Sequence, residues 1–343
     1  MKFFILFSTV ASVLLLAAGC GRQNPDAPDG RYSRRTGDPV VFSVGSNYDA
    51  PTRTHYRDED VSGGFQHIDW VQGDRIRIYC PQTSLRYESD IHWADYSVTP
   101  VPGTPERGTL SSVLPNGLVW EESGIDYSFY SVYPSPAGTD PHSGLTGTFN
   151  FSMPAAQTVP GLMDNAFMTA ATKVNISSDE DAVRLDFYPA FTAFEFRLTG
   201  EEEEVTLNSI TLTSTSTPLT GAFRVVYSGT TASYTCTGTG KSVTLNFPSG
   251  TVLSQARPVT CTLLTMPDTA TDLKLTLVRT YKGTAVTNSL ALNYANGTPL
   301  SFAARKKHIL KGLVTPIILQ LTTFDVTTGS WQTWTHGDTA LTN

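Results

Sequence analysis

Apolar residues recur at every second position in short runs along most of this chain: Val40/Phe42/Val44, Ile76/Ile78, Val183/Leu185/Phe187 and Phe194/Phe196/Leu198. The same period returns at Val243/Leu245/Phe247, Leu273/Leu275/Leu277 and Leu290/Leu292/Tyr294. A period of two sends successive side chains to opposite faces, so each run predicts a strand with one buried face. Thr, Ser, Gly, Asn or Pro flank each run. Asn116-Gly117 and Asn296-Gly297, lying between apolar runs, predict hairpin turns. No convincing amphipathic helix interrupts the series. Short strands at this spacing predict an all-β chain of sandwiches and not a parallel α/β sheet.

The N-terminus departs from this pattern. After Lys2, Phe3 to Ala18 is apolar apart from Ser8, Thr9 and Ser12. The run is too short to favour a membrane span and ends in small residues, as an export signal does. Leu16-Ala17-Ala18-Gly19-Cys20 resembles a bacterial lipobox, which implies signal removal and acylation of Cys20. Residues 1–19 are therefore expected to be a signal peptide. The polar, Pro- and Gly-bearing stretch from Gly21 to Gly30 has nothing to bury, so residues 20–38 are expected to be a flexible tether.

Beyond the tether, the polar stretch Ser177-Ser178-Asp179-Glu180-Asp181 coincides with a change of composition. Trp70, Trp93, Trp120 and long Pro/Gly loops precede it, and Thr-rich strands follow. This divides the chain into an N-terminal domain at 39–181 and a C-terminal domain at 182–314. Residues 315–343 form a tail in which Ile317, Leu319 and Leu321 alternate. A slip of frame before Phe324 implies a bend or bulge between two arms.

Composition excludes more than it identifies. With 24 Lys+Arg against 31 Asp+Glu the formal net charge is −7, which argues against a nucleic-acid partner. Thr237-Gly238-Thr239-Gly240-Lys241-Ser242 looks like the end of a phosphate-binding loop. A strand-like run follows instead of a helix, so a hairpin turn is expected there. Asp58-Glu59-Asp60 and Asp179-Glu180-Asp181 lack calcium-loop spacing. No CxxC, GxSxG or His-x-x-x-His spacing occurs, so no metal, cofactor or enzyme activity is expected. Cys236 and Cys261 could pair or stay as buried thiols. Tryptophans could stack on sugar rings, Trp93, Trp331 and Trp334 more readily than Trp70 and Trp120, for which core packing is expected.

Several segments, in order, resemble the fimbrillin family of lipoprotein pilins and pilus accessory subunits from Gram-negative anaerobes. These are Val40-Val41-Phe42-Ser43-Val44 with Thr52-Arg53-Thr54, and Ile68-Asp69-Trp70-Val71-Gln72-Gly73-Asp74-Arg75-Ile76-Arg77-Ile78-Tyr79. Trp120, then Tyr127-Ser128-Phe129-Tyr130-Ser131-Val132-Tyr133-Pro134, and the pieces Pro154-Ala155-Ala156-Gln157 and Phe167-Met168-Thr169-Ala170 follow. Val183 to Leu198 resembles the start of that family's second domain. Together they cover most of the chain after the signal.

The resemblance implies two tandem Greek-key β-sandwich domains in a transthyretin-like arrangement. It implies a structural or accessory fimbrial subunit at the outer membrane and cell surface, supporting adhesion. The partners implied are other fimbrial subunits, the outer membrane through the lipid on Cys20, and a trypsin-like protease cutting after Arg53. Cleavage there would free the strand at Val40–Val44, and a neighbour's tail (residues 315–343) would act as donor strand. The alternative is a monomeric surface lipoprotein that binds glycans or host ligands.

Overall fold

The alternating runs, apart from Tyr294, which lies outside the described residues, fall on strands or beside them in the computed structural model, which describes residues 37–45, 69–115, 117–121, 125–136, 142–159, 165–175, 182–248, 250–293, 297–325 and 338–339. The first strands are β1 Phe42–Gly45, β2 Arg75–Tyr79, β3 Thr83–Leu85, β4 Trp93–Val101, β5 Thr104–Ser112 and β6 Leu118–Trp120. Next come β7 Asp126–Tyr133, a single helical turn α1 His142–Leu145, β8 Thr148–Met153, β9 Ala156–Thr158 and β10 Met168–Asn175. The chain continues through β11 Val183–Asp186, β12 Tyr188–Pro189, β13 Thr192–Gly200, β14 Val205–Thr213, β15 Gly221–Ser228 and β16 Thr231–Cys236. It then forms β17 Ser242–Asn246, β18 Val252–Leu253, β19 Val259–Thr265, β20 Lys274–Tyr281 and β21 Thr284–Ala291. The last strands are β22 Lys307–Val314, β23 Leu319–Asp325 and β24 Asp338–Thr339. The protein is all-β.

Two cores result. An eight-stranded sheet, ordered β11-β1-β5-β4-β2-β7-β10-β12, and a three-stranded sheet, β16-β15-β8, supply residues to the first core, as does the small β3-β6 pair. Ile76, Ile78, Phe129, Phe149 and Phe223 fill it. The second core lies between β19-β13-β22-β23-β24 and a six-stranded sheet that runs β21-β20-β14-β17-β9 with β18 beside β14. Leu212, Leu245, Leu263, Leu277 and Leu310 are buried there. Core membership changes within one strand, β13, where Ala193 belongs to the first cluster and Phe194 to the second.

The two halves of the chain exchange strands. β8, from the first half, pairs antiparallel with β15, from Gly221↔Met153 to Val226↔Thr148, while β9 pairs in parallel with β17. Gln157, buried on β9, extends this tie. Its amide Nε2 donates to the Leu264 carbonyl at 2.7 Å, and its Oε1 accepts from the Leu264 N–H at 3.0 Å. A side-chain amide thus takes the place of a backbone peptide, satisfying groups that would otherwise be buried unpaired.

Two expected turns change, and the open choice at the cysteines is resolved. β5 and β6 lie in different sheets, so Gly117 belongs to a crossover and not to a hairpin between paired strands. Asn116 and Asn296 lie outside the described residues. Thr237 to Lys241 likewise passes from β16, paired with β15, to β17, paired with β14. It runs close against Thr220-Gly221, where a Cβ on Gly238 would stand 2.6 Å from the Thr220 carbonyl oxygen. Glycine is needed there for close approach and not for a phosphate. Cys236 and Cys261 are free thiols on strands of different sheets, and Cys80 is also free. In the tail, β23 pairs antiparallel with β22, and Thr323↔Lys311 followed by Leu321↔Gly312 places a bulge at the frame slip.

The β13–β22 pair also buries charge. Glu195 on β13 accepts from Arg197 Nε at 2.6 Å and pairs with Lys307 Nζ on β22. Burial raises the Glu195 pKa, but the two cations outweigh it and hold the carboxyl below its ordinary value. His308, the next residue, is fully buried between Phe194 and Phe302, with ring centroids at 5.4 and 5.1 Å. Its Nε2 lies 3.1 Å from the Ala303 carbonyl, and its Nδ1 has no partner.

Burial pushes the His308 imidazole down from 6.5 to about 4. A depressed folded value means that the unfolded chain binds the proton first, so stability is complete above pH 6.5 and falls on acidification. Glu195 adds its own loss only as the pH falls through and below 4.5, so the interval between is the more specific to His308. Urea unfolding should lose on the order of 2–3 kcal/mol across that interval. His308→Leu should flatten the slope, and an unchanged slope would show that this residue is not its source.

Candidate functional site

The N-terminal strand occupies a slot in the first sheet. Gly37 to Val40 runs beside β6: Gly37 N–H donates to the Trp120 carbonyl at 2.6 Å, and Val40 N–H to the Leu118 carbonyl at 2.9 Å. The chain then enters the eight-stranded sheet as β1. There it pairs in parallel with β11, from Phe42↔Val183 to Gly45↔Asp186, and antiparallel with β5 at Ser43↔Thr109 and Val44↔Gly108. Alternation decides what faces inward. Val40, Phe42 and Val44 are buried, whereas Val41 is 56% exposed.

The slot is shaped for these side chains. Phe42 meets Tyr96 and Phe129 edge-on, with ring centroids 5.1 and 5.3 Å apart. The Tyr96 hydroxyl accepts from the Leu118 N–H at 2.9 Å, tying β4 to β6 beside it. Gly108 leaves the room that Val44 fills, since a Cβ there would come within 3.1 Å of Val44 Cγ2 and 2.8 Å of Val98 Cγ1. Sequence inspection missed Gly108, because a lone glycine between polar residues carries no signal of what packs over it.

The other candidates separate clearly. Cys20 and Arg53 lie outside the described residues, as do both acidic triplets, Trp331 and Trp334. Among the described residues no group of acidic, His or Cys side chains could hold a metal ion, and no helix is long and apolar enough to cross a membrane. Trp70 packs edge-on against Tyr133 and Phe187, and Trp120 against Tyr127 and Phe129, so both are core residues. Trp93 is covered on one face by Arg77, whose Cζ sits 4.1 Å from the ring centroid. Asp95 holds that guanidinium in two bonds of 2.7 and 2.9 Å.

The chain matches the fimbrillin-like family over residues 52–331. It belongs to that family. The fimbrillin-like family is structural and not enzymatic. Solved structures align with the chain at low identity. A candidate cell adhesion protein from Bacteroides uniformis aligns with a TM-score of 0.52 at 16% identity, covering 82% of this chain and 96% of that one. A fimbrial assembly protein from Parabacteroides distasonis aligns at 0.41 and 11%, over 83% and 94% of the two chains. A fimbrial protein from Bacteroides vulgatus gives 0.40 and 12%, over 82% and 97%. No curated protein matches this fimbrillin-like chain in sequence.

If β1 holds the first core together, Phe42→Ala should destabilise the protein by about 3–5 kcal/mol. Val41→Ala, on the exposed face of the same segment, should stay within about 0.5 kcal/mol of the parent. Denaturant unfolding of the two variants checks this, and equal losses would mean that the slot contributes little.

Proposed function

We propose that this chain is a subunit of a surface fimbria, delivered as a lipoprotein and built into the polymer by exchange of β1 for a strand from a neighbouring subunit. The observation that supports it most is the seat of β1. A strand of four residues is buried between β11 and β5 and supplies apolar side chains to the core. Burying Val40, Phe42 and Val44 contributes about 5–9 kcal/mol at 1.5–3 kcal/mol per side chain. That is comparable to the whole stability of a typical domain, about 5–15 kcal/mol. Removing β1 without replacement would also leave the facing N–H and C=O groups of β5 and β11 unpaired. A vacated slot therefore demands another strand of the same alternating pattern, which is the physical basis of strand addition.

In this reading Cys20 carries the lipid that holds the precursor at the outer membrane. Several acyl chains at about 0.8 kcal/mol per buried CH₂ give durable anchoring. Arg53 follows β1 in the chain, so a trypsin-like cut after it frees the strand and the anchor together. The donor is the tail. β23 lies near the edge of its sheet, with the two-residue β24 beyond it, and can leave β22 without opening the first core. The N-terminal domain at 39–181 has the lipid tether before it, and the C-terminal domain at 182–314 has the tail after it. Adhesion is the role of the assembled fibre.

Subunits recovered from fibres should begin at Thr54, and Arg53→Ala should accumulate as uncut monomer that forms no SDS-resistant ladder. Fibres whose subunits still begin at Cys20 would exclude the exchange of β1. In parallel, Cys20→Ser should lose incorporation of labelled palmitate; retained label would place the lipid elsewhere.

A further inference from the structure

A cleft of about 540 Å³ opens where the edge of the first sheet meets the loop leading into β22. That lies within the range of small-ligand pockets, roughly 300–1,000 Å³. Tyr188 of β12, Tyr227 of β15, Thr231 and Tyr234 of β16, and Arg305 and Lys306 from the loop line it. Among the described residues that line it, both charged side chains are cationic and none is a carboxylate.

The loop is held in place with unusual firmness. Arg305 has a φ of 54°, in the left-handed region that side chains other than glycine seldom adopt. Its N–H donates to the Thr192 hydroxyl at 2.8 Å, and the next residue's carbonyl accepts from the Ala193 N–H at 2.9 Å. Both anchors lie on the first turn of chain into β13, where the two cores meet. The Arg305 guanidinium lies over Tyr234, its Cζ 4.2 Å from the ring centroid, and its Nη1 donates to the Tyr234 hydroxyl at 3.0 Å. With five N–H donors on a guanidinium, one bond to a phenol leaves enough for a bidentate acid group. Burial and the neighbouring Arg305 charge hold the Lys306 ammonium below its ordinary pKa, as expected of adjacent cations in a partly dry site.

We propose that this cleft binds an acidic sugar residue of a glycan, with its carboxylate or sulfate on Arg305 and Lys306 and its ring against Tyr188. Flat phenol faces suit the apolar side of a pyranose, and phenol and threonine hydroxyls suit its ring of hydroxyls. Two cationic side chains in the lining favour an anionic sugar over a neutral one. The assignment is independent of strand exchange, because none of these residues belongs to β1 or to the tail.

The test is titration of the purified full chain with sialyllactose, with sulfated lactose and with unmodified lactose, read by saturation-transfer NMR and calorimetry. At least one acidic sugar should bind saturably and at least tenfold more tightly than lactose, and the one that binds identifies the acid group. Arg305→Gly keeps the positive φ at no steric cost, which offsets the lost contact to Tyr234, and should weaken that binding tenfold or more while shifting the melting temperature by about 5 °C or less. Lys306→Gln should weaken it as well, and added salt should do the same in the parent. Absence of saturable binding by either acidic sugar, equal binding of lactose, or binding untouched by both substitutions would overturn the proposal.

Discussion

Backbone groups at a sheet edge need partners, and in this molecule that need is met at one decisive place by a very short strand. β1 satisfies β5 on one side and β11 on the other while placing Phe42 against Tyr96 and Phe129. The eight-stranded sheet is continuous only because those few residues lie in it. Hydrophobic burial and strand pairing act together here. Losing the strand would remove apolar side chains from the core and, at the same time, expose two rows of peptide groups.

The second consequence of strand pairing is that the two cores are not simply strung in line. β8 leaves the first half to pair with β15, and the β15–β16 hairpin comes back from the second half to cover the first core. β9 joins the second sheet system, and Gln157 fastens it to Leu264. Force applied to one core is therefore carried to the other through hydrogen-bonded strands, not through a single linker. The cleft at Arg305 lies at this same junction, so the ordering that joins the cores also fixes the positions of its cations.

The sequence by itself determined that the chain is all-β and, in its alternating runs, which residues are buried. A period of two is a local property, readable wherever polar and apolar residues alternate, and it holds at Val40/Phe42/Val44 and at Leu273/Leu275/Leu277. The order of weak motifs likewise sufficed for the family. Which strands pair was decided only in three dimensions. Asn116-Gly117 and Thr237–Ser242 have the composition of hairpin turns, yet the strands they connect belong to different sheets. Turn composition reports local backbone freedom, whereas pairing is settled by how the whole set of apolar faces can be covered at once. The Arg305–Tyr234 contact joins residues 71 positions apart, and Gln157 meets Leu264 across 107. The piece Pro154-Ala155-Ala156-Gln157 resembles a family motif, but neither neighbourhood names the partner, because each side chain acquires its role from a surface that another part of the chain provides.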